Sequence, residues 1–178
     1  ISDPADIDRV AARLIADYPT LNVLINNAGL MPFDDPAGTI DDAVSRRILD
    51  TNPLGPIRLT SALRGHLKAQ PRATIIHNPS VLAYVPIATN AVYSASKAAL
   101  EAMVTSWANE NQKTALCVNL FDPATVRTKM RAQYSPGEDP ETVTPPEDLA
   151  PALVELARAE TVENGGIYSF ANQGWLQR

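Results

Sequence analysis

Hydrophobic spacing along the chain alternates between two periods. Ile7, Val10, Ala11, Leu14 and Ile15 recur at i, i+3, i+4, i+7 and i+8, the stripe of an amphipathic helix. Ser2 or Asp3 caps that helix, with Pro4 in the first turn, where a missing N–H costs nothing. Asn22-Val23-Leu24-Ile25 then reads as a short apolar strand. It ends in Asn26-Asn27-Ala28-Gly29, where glycine permits a tight turn. Thr39 to about Lys68 predicts a long helix, interrupted by Pro53 and Pro56. Thr74-Ile75-Ile76 predicts a second strand, Ala91 to Glu110 a helix, and Ala115 to Phe121 a third strand ending at Asp122-Pro123. A polar, proline-rich stretch from Arg131 to Pro146 predicts a loop or lid. Pro146 to about Ala159 predicts a helix with Leu149, Ala152, Leu153 and Leu156 on one face, and Ile167 to Phe170 the last strand. Short apolar strands separated by crossover helices predict an α/β fold, a parallel sheet with helices on both faces.

Length and composition narrow the class. The 178 residues predict one domain, 1–178, and 45% hydrophobic with 20% charged residues is the balance of an ordinary globular protein. A net charge of −5 and a pI near 5.0 argue against a nucleic-acid partner or an anionic membrane surface. No apolar run is long enough to span a bilayer, and no basic segment followed by an apolar core opens the sequence. A cytoplasmic location is expected. Cys117 is the single cysteine, so no internal disulfide is expected, and its apolar run makes it a small core residue. His66 and His77 are not spaced with cysteines or acids as metal ligands. No metal is expected.

The candidate chemistry lies in Tyr93-Ser94-Ala95-Ser96-Lys97, with Ser80 upstream. A helix puts Tyr93 and Lys97 on one face, about 5–6 Å apart at Cβ. An ammonium near a phenol favours phenolate, so Lys97 is expected to lower the Tyr93 pKa from about 10. Such a tyrosine can give or take a proton, and a serine hydroxyl can hold the substrate oxygen as its charge changes. Taken alone the pair is weak, because a lysine four residues after a tyrosine is common on solvated helix faces. Ser80 adds weight because it follows a buried strand, and open α/β sheets bind ligands at the carboxyl ends of their strands.

Together these residues resemble the short-chain dehydrogenase/reductase family. Asn26-Asn27-Ala28-Gly29 is similar to the motif after its fourth strand, and Asn52, in Asp50-Thr51-Asn52, to the asparagine of its catalytic tetrad. Ser80, Tyr93 and Lys97 match the other three members, and Pro123-Ala124-Thr125-Val126-Arg127-Thr128 resembles the segment that holds the nicotinamide end of the cofactor. The resemblance implies a Rossmann-like fold and an oxidoreductase that interconverts a carbonyl and an alcohol with NAD(H) or NADP(H). Tyr93 would move the proton, Lys97 would tune it and bind the nicotinamide ribose, and Ser80 would orient the substrate oxygen. Asn52 would hold a relay water through its main-chain carbonyl. Asn27, Ala28 and Gly29 would line the adenosine side, and Pro123, Val126 and Thr128 the carboxamide side. Asn26 and Asn27 could equally tie strands together, and Thr128 could be only a helix cap. The resemblance also implies a homodimer or homotetramer built on the helices from Thr39 to Lys68 and Ala91 to Glu110. The substrate would be a small carbonyl or alcohol, beside a loop from Lys129 to Pro146, with Met130, Tyr134 and Tyr84 as candidate lining residues.

The sequence departs from the family at four places. No glycine-rich T-G-x-x-x-G-x-G turn occurs, and the first glycine is Gly29. The expected fold is therefore N-terminally truncated, without the first three strands, and strand Asn22 to Ile25 becomes a sheet edge. The alternative function that follows is an inactive relative, serving as a binding or assembly module or as a folded remnant. Pro53 directly follows Asn52, Pro79 directly precedes Ser80, and Ala124 stands where glycine is usual. Each could shift the backbone at the site. A positive φ at Ala124 would add strain of roughly 1 kcal/mol.

Overall fold

The computed structural model describes residues 1–32, 39–158 and 160–176. Four parallel strands lie in chain order: β1 (Val23–Asn26), β2 (Ala73–His77), β3 (Leu116–Asp122) and β4 (Ile167–Ser169). A two-residue β5 (Gly174–Trp175) closes the sheet antiparallel to β4. Ile25 pairs with Ile76, and Ile76 with Asn119, so the carboxyl ends of β1, β2 and β3 share one edge of the sheet. β1 pairs only with β2 among the described strands, which makes it the sheet edge the strand order predicts.

The central strands are apolar throughout because both faces are covered. Every residue of β2 is buried. Ile75 packs on one face with Leu63 and Leu67 of α3 (Gly55–Ala69), Val104 of α4 (Ala91–Asn111) and Ala11 of α1 (Pro4–Asp17). Ile76 packs on the other face with Phe121, Leu149 and Leu156, the last on α6 (Ala150–Leu156). Asp3 caps α1, its carboxylate accepting from the N–H groups of Ala5 and Asp6 at 2.8 and 3.3 Å.

The long helix expected from Thr39 to Lys68 begins at Asp42 and has a joint. α2 (Asp42–Leu49) passes into a π-helical turn (Asp50–Leu54), which passes into α3 without a break. The cause is local. In an α-helix the Leu49 carbonyl needs the N–H of residue 53, and Pro53 has none. The π pattern pairs a carbonyl with the N–H five residues on, which matches Leu49 to Leu54. The proline is absorbed as a widened turn, and Asn52 stays buried at 1% exposure.

Two other expectations change. The stretch from Arg131 to Pro146 is not plain loop. Thr128 caps a short α5 (Lys129–Tyr134), single 3-10 turns span Pro140–Thr142 and Pro146–Leu149, and Val126 bridges to Thr144. The last helix is correspondingly shorter, with its α portion confined to α6. Ala159, its expected end, lies outside the described residues.

Candidate active site

The site forms where the carboxyl end of β2 meets the first turns of α4. Pro79 carries the chain straight out of β2, and Ser80 is extended, at φ −154°. Its Oγ accepts from the Leu82 N–H at 3.2 Å, capping a 3-10 turn (Val81–Ala83). That leaves the hydroxyl proton for the side-chain hydrogen bond Ser80 makes with Tyr93. Pro79 does not pull Ser80 away from the tyrosine.

Tyr93 and Lys97 are buried, at 8% and 5% exposure, on the inner face of α4. The Lys97 Nζ sits 5.8 Å from the Tyr93 ring centroid and donates to the Asn78 carbonyl at 2.8 Å. Asn52 is tied by its side chain. Its Oδ1 accepts from Leu30 N at 2.7 Å, and its Nδ2 donates to Leu30 O at 2.8 Å and to Ser96 Oγ at 3.0 Å. Ser96 in turn donates to the Tyr93 carbonyl at 2.7 Å. The amide thus couples the segment after Gly29, the π turn and α4. The Asn52 carbonyl has a different situation: its α-pattern donor would be residue 56, and Pro56 has no N–H.

The electrostatics correct one expectation. On balance the Tyr93 pKa is raised, not lowered. Burial raises its pKa above 10.0, and the Ser80 hydrogen bond opposes that rise. The lysine is the shifted partner, lowered by burial to about 8. His77, at the end of β2, is lowered to about 3 by burial and, secondarily, by the charge of Lys97. It is fully buried against Trp107, with ring centroids 5.8 Å apart, and neither ring nitrogen has a hydrogen-bond partner among the described residues.

The other predicted residues fall around this centre. Asn27 and Ala28 are exposed at the end of β1, and Asn27 Oδ1 accepts from Asn78 Nδ2 at 3.2 Å. A Cβ on Gly29 would lie 3.7 Å from Asn52 Oδ1 and 3.9 Å from Lys97 Nζ, ordinary contact distances, so Gly29 sits beside both groups. Pro123 follows β3 at the same sheet edge. Ala124 has φ 59°, the left-handed conformation that favours glycine. Val126 is half-buried, and Thr128 caps α5 through its Oγ, accepting from Arg131 N at 3.1 Å. Sequence reasoning missed Ser96, Asn78 and His77 as parts of the site. Ser96 was visible in principle, three residues after Tyr93 on the same helix; the other two depend on where Lys97 points.

Among the described residues Lys97 donates one hydrogen bond, so two of its three N–H groups are unspent. Beside a phenol and a serine hydroxyl, with a glycine opposite, it suits a ligand that presents hydroxyl groups, as a nucleotide ribose does. The model for short chain dehydrogenases matches residues 1–139. The chain belongs to the short chain dehydrogenase family. Among family relatives, it is 30% identical over 166 residues to the uncharacterized oxidoreductase YciK of Escherichia coli K12, covering 93% of this chain and 66% of that protein. It is 37% identical over 120 residues to the L-xylo-3-hexulose reductase of Hypocrea jecorina, covering 65% of this chain and 39% of that protein. The chain thus spans about two thirds of the length of the first relative and less than half of the second. Among solved family structures, a Salmonella enterica short chain dehydrogenase superposes with a TM-score of 0.88 at 28% identity, over 94% of this chain and 69% of that one. A putative short chain dehydrogenase from E. coli CFT073, complexed with NADPH, superposes at 0.87 with 29% identity, over 94% of this chain and 70% of that one.

Proposed function

We propose that the chain carries the acid–base site of an NAD(P)-dependent oxidoreductase that interconverts a carbonyl and an alcohol. The observation that carries the reading is the buried Tyr93 hydroxyl, hydrogen-bonded to Ser80 and flanked by the Lys97 ammonium. Reduction adds a hydride to the carbonyl carbon and a proton to its oxygen. A nicotinamide cofactor held beside these residues would supply the hydride. Ser80 holds the carbonyl oxygen, and Tyr93, kept as a neutral phenol by burial, gives the proton. The phenolate left behind is stabilised by Lys97, whose remaining N–H groups also hold the ribose. The Asn52 carbonyl, whose α-pattern donor position is taken by Pro56, holds a water that returns the proton from solvent.

Asn27, Ala28 and Gly29 line the adenosine side of the cofactor in this reading, and Pro123, Val126 and Thr128 the carboxamide side. NADP(H) is the first dinucleotide to test, because a similar E. coli protein was solved with NADPH. Titration with NADPH and NADH separates this reading from a relative that keeps the site without turnover: micromolar binding supports the enzyme, and no binding supports the inactive module. We further infer a homodimer or homotetramer, built on the helical run from α2 to α3 and on α4. A groove of about 470 Å³ supports it, lined by Ile40 just before α2, by Asp42, Ser45 and Leu49 on α2, and by Ala91, Val92 and Ala95 on α4. Light scattering at the monomer mass would contradict it. No helix among the described residues is long and apolar enough to cross a membrane. The reading keeps the cytoplasmic location expected from the sequence, which cell fractionation tests.

A further inference from the structure

From Asn78 to Ser96 the chain has no acidic, basic or histidine side chain. Four large apolar residues of this run stand in solvent: Val81 at 50%, Tyr84 at 53%, Val85 at 55% and Ile87 at 43% exposure. They begin one residue after Ser80, on a turn closed by the Val85 N–H on the Val81 carbonyl at 2.9 Å. Single exposed apolar residues are ordinary, but several on one short segment form a patch of the kind that marks binding. These residues lie in the segment that joins Ser80 to Tyr93, so they border a molecule whose oxygen lies between the two.

A second segment near the start of α4 is α5. The Tyr134 hydroxyl lies 3.5 Å from the Nδ2 of Asn90, three residues before Tyr93, so α5 stands against the start of α4. Met130 and Tyr134 are half-buried there. The guanidinium groups of this segment are spent within it. Arg131 holds Glu138 through two 2.6 Å bonds, and Arg127 holds Glu141. Such charge-assisted pairs leave neither arginine ready for a carboxylate or phosphate on a substrate. Among the described residues from 126 to 145, Lys129 is the one cation outside an ion pair, and it is exposed.

We propose that the site takes a neutral, apolar carbonyl compound. Its hydrocarbon body lies along Val81 to Ile87 and against Met130 and Tyr134. The inference rests on the reading of Ser80 and Tyr93 as the oxygen-binding pair, and it is tested by a ligand series that does not require turnover. Straight-chain ketones from butanone to 2-decanone are titrated into the full chain, with binding followed by ligand-observed NMR, and are then assayed with NADPH. Affinity rises about two- to four-fold for each added methylene, as expected when each is partly or wholly buried, and kcat/KM follows. Val85→Ser and Ile87→Ser, both at exposed positions, flatten the series while circular dichroism and melting show an intact fold. A flat series in the unmodified chain overturns the proposal, as does an unchanged slope in both variants or a keto sugar preferred over the ketone of equal carbon number. A preference for an ω-carboxylated ketone that is lost in Lys129→Gln overturns the neutral class. A rising binding series without hydride transfer keeps the apolar ligand and removes the oxidoreductase reading.

Discussion

His77 shows how a side chain can be expensive without being catalytic. A buried imidazole with no partner at either nitrogen among the described residues favours its neutral form. Its pKa is about 3 in the fold, below the ordinary 6.5. The unfolded chain therefore binds the extra proton first as pH falls. The stability His77 permits is complete above pH 6.5 and is lost progressively between 6.5 and 3, by up to about 5 kcal/mol at one pKa unit per 1.36 kcal/mol. Urea unfolding against pH should show this slope in the native chain and a shallower one in His77→Leu; superimposable profiles would contradict it. Lys97 titrates in an unusual place for the same reason. NMR of its side-chain amine in the dinucleotide-free chain should give a midpoint near 8, and a midpoint near 10.5 would mean the ammonium is not buried. The Tyr93 and Lys97 spacing was legible in the sequence, but its consequence was not. Spacing puts two side chains on one face; it does not say that Lys97 reaches past the phenol to the Asn78 carbonyl, nor how much water is left around either.

At the scale of elements, two local irregularities hold the site in place. The π turn at Pro53 sets Asn52 where its amide meets Leu30 and Ser96, three contacts across three segments. Removing the amide strands the Leu30 N–H and carbonyl, so Asn52→Ala should cost about 2–4 kcal/mol. Chemical denaturation measures it, and a loss under about 0.5 kcal/mol, the ordinary scatter of surface changes, would mean the clamp does not form. Ala124, at φ 59°, carries strain that glycine lacks. Ala124→Gly should therefore gain on the order of 1 kcal/mol despite the extra freedom it gives the unfolded chain; a destabilised variant would contradict the left-handed backbone. The strands were readable because burial on both faces makes them unbroken apolar runs, as in Ala73–His77. β5 and α5 were not, because two residues and six residues are too short to show a period. They are specified instead by what they pack on, the Tyr168 ring for Trp175 and the Thr128 cap for α5.

For the molecule as a whole, three parallel strands end at one edge, and Asn27 to Gly29 follow β1 there, Ser80 follows β2, and Pro123 to Thr128 follow β3. The long helix α4 brings Tyr93 and Lys97 to the same edge. The order of these motifs was visible in sequence because parallel strands repeat one direction, and anything following a strand lands on the same side. What sequence could not supply was the depth of the centre, since the burial of Lys97 and Tyr93 arises from helix packing and not from neighbouring residues. The most direct test is NADPH oxidation by the full chain against a panel of ketones and aldehydes, compared with Tyr93→Phe. The account predicts turnover in the native chain and a loss of about 10²–10⁴-fold on removing the phenol hydroxyl, the usual worth of a positioned general acid. Turnover that survives Tyr93→Phe, or a native chain that binds dinucleotide and reduces nothing, would contradict it.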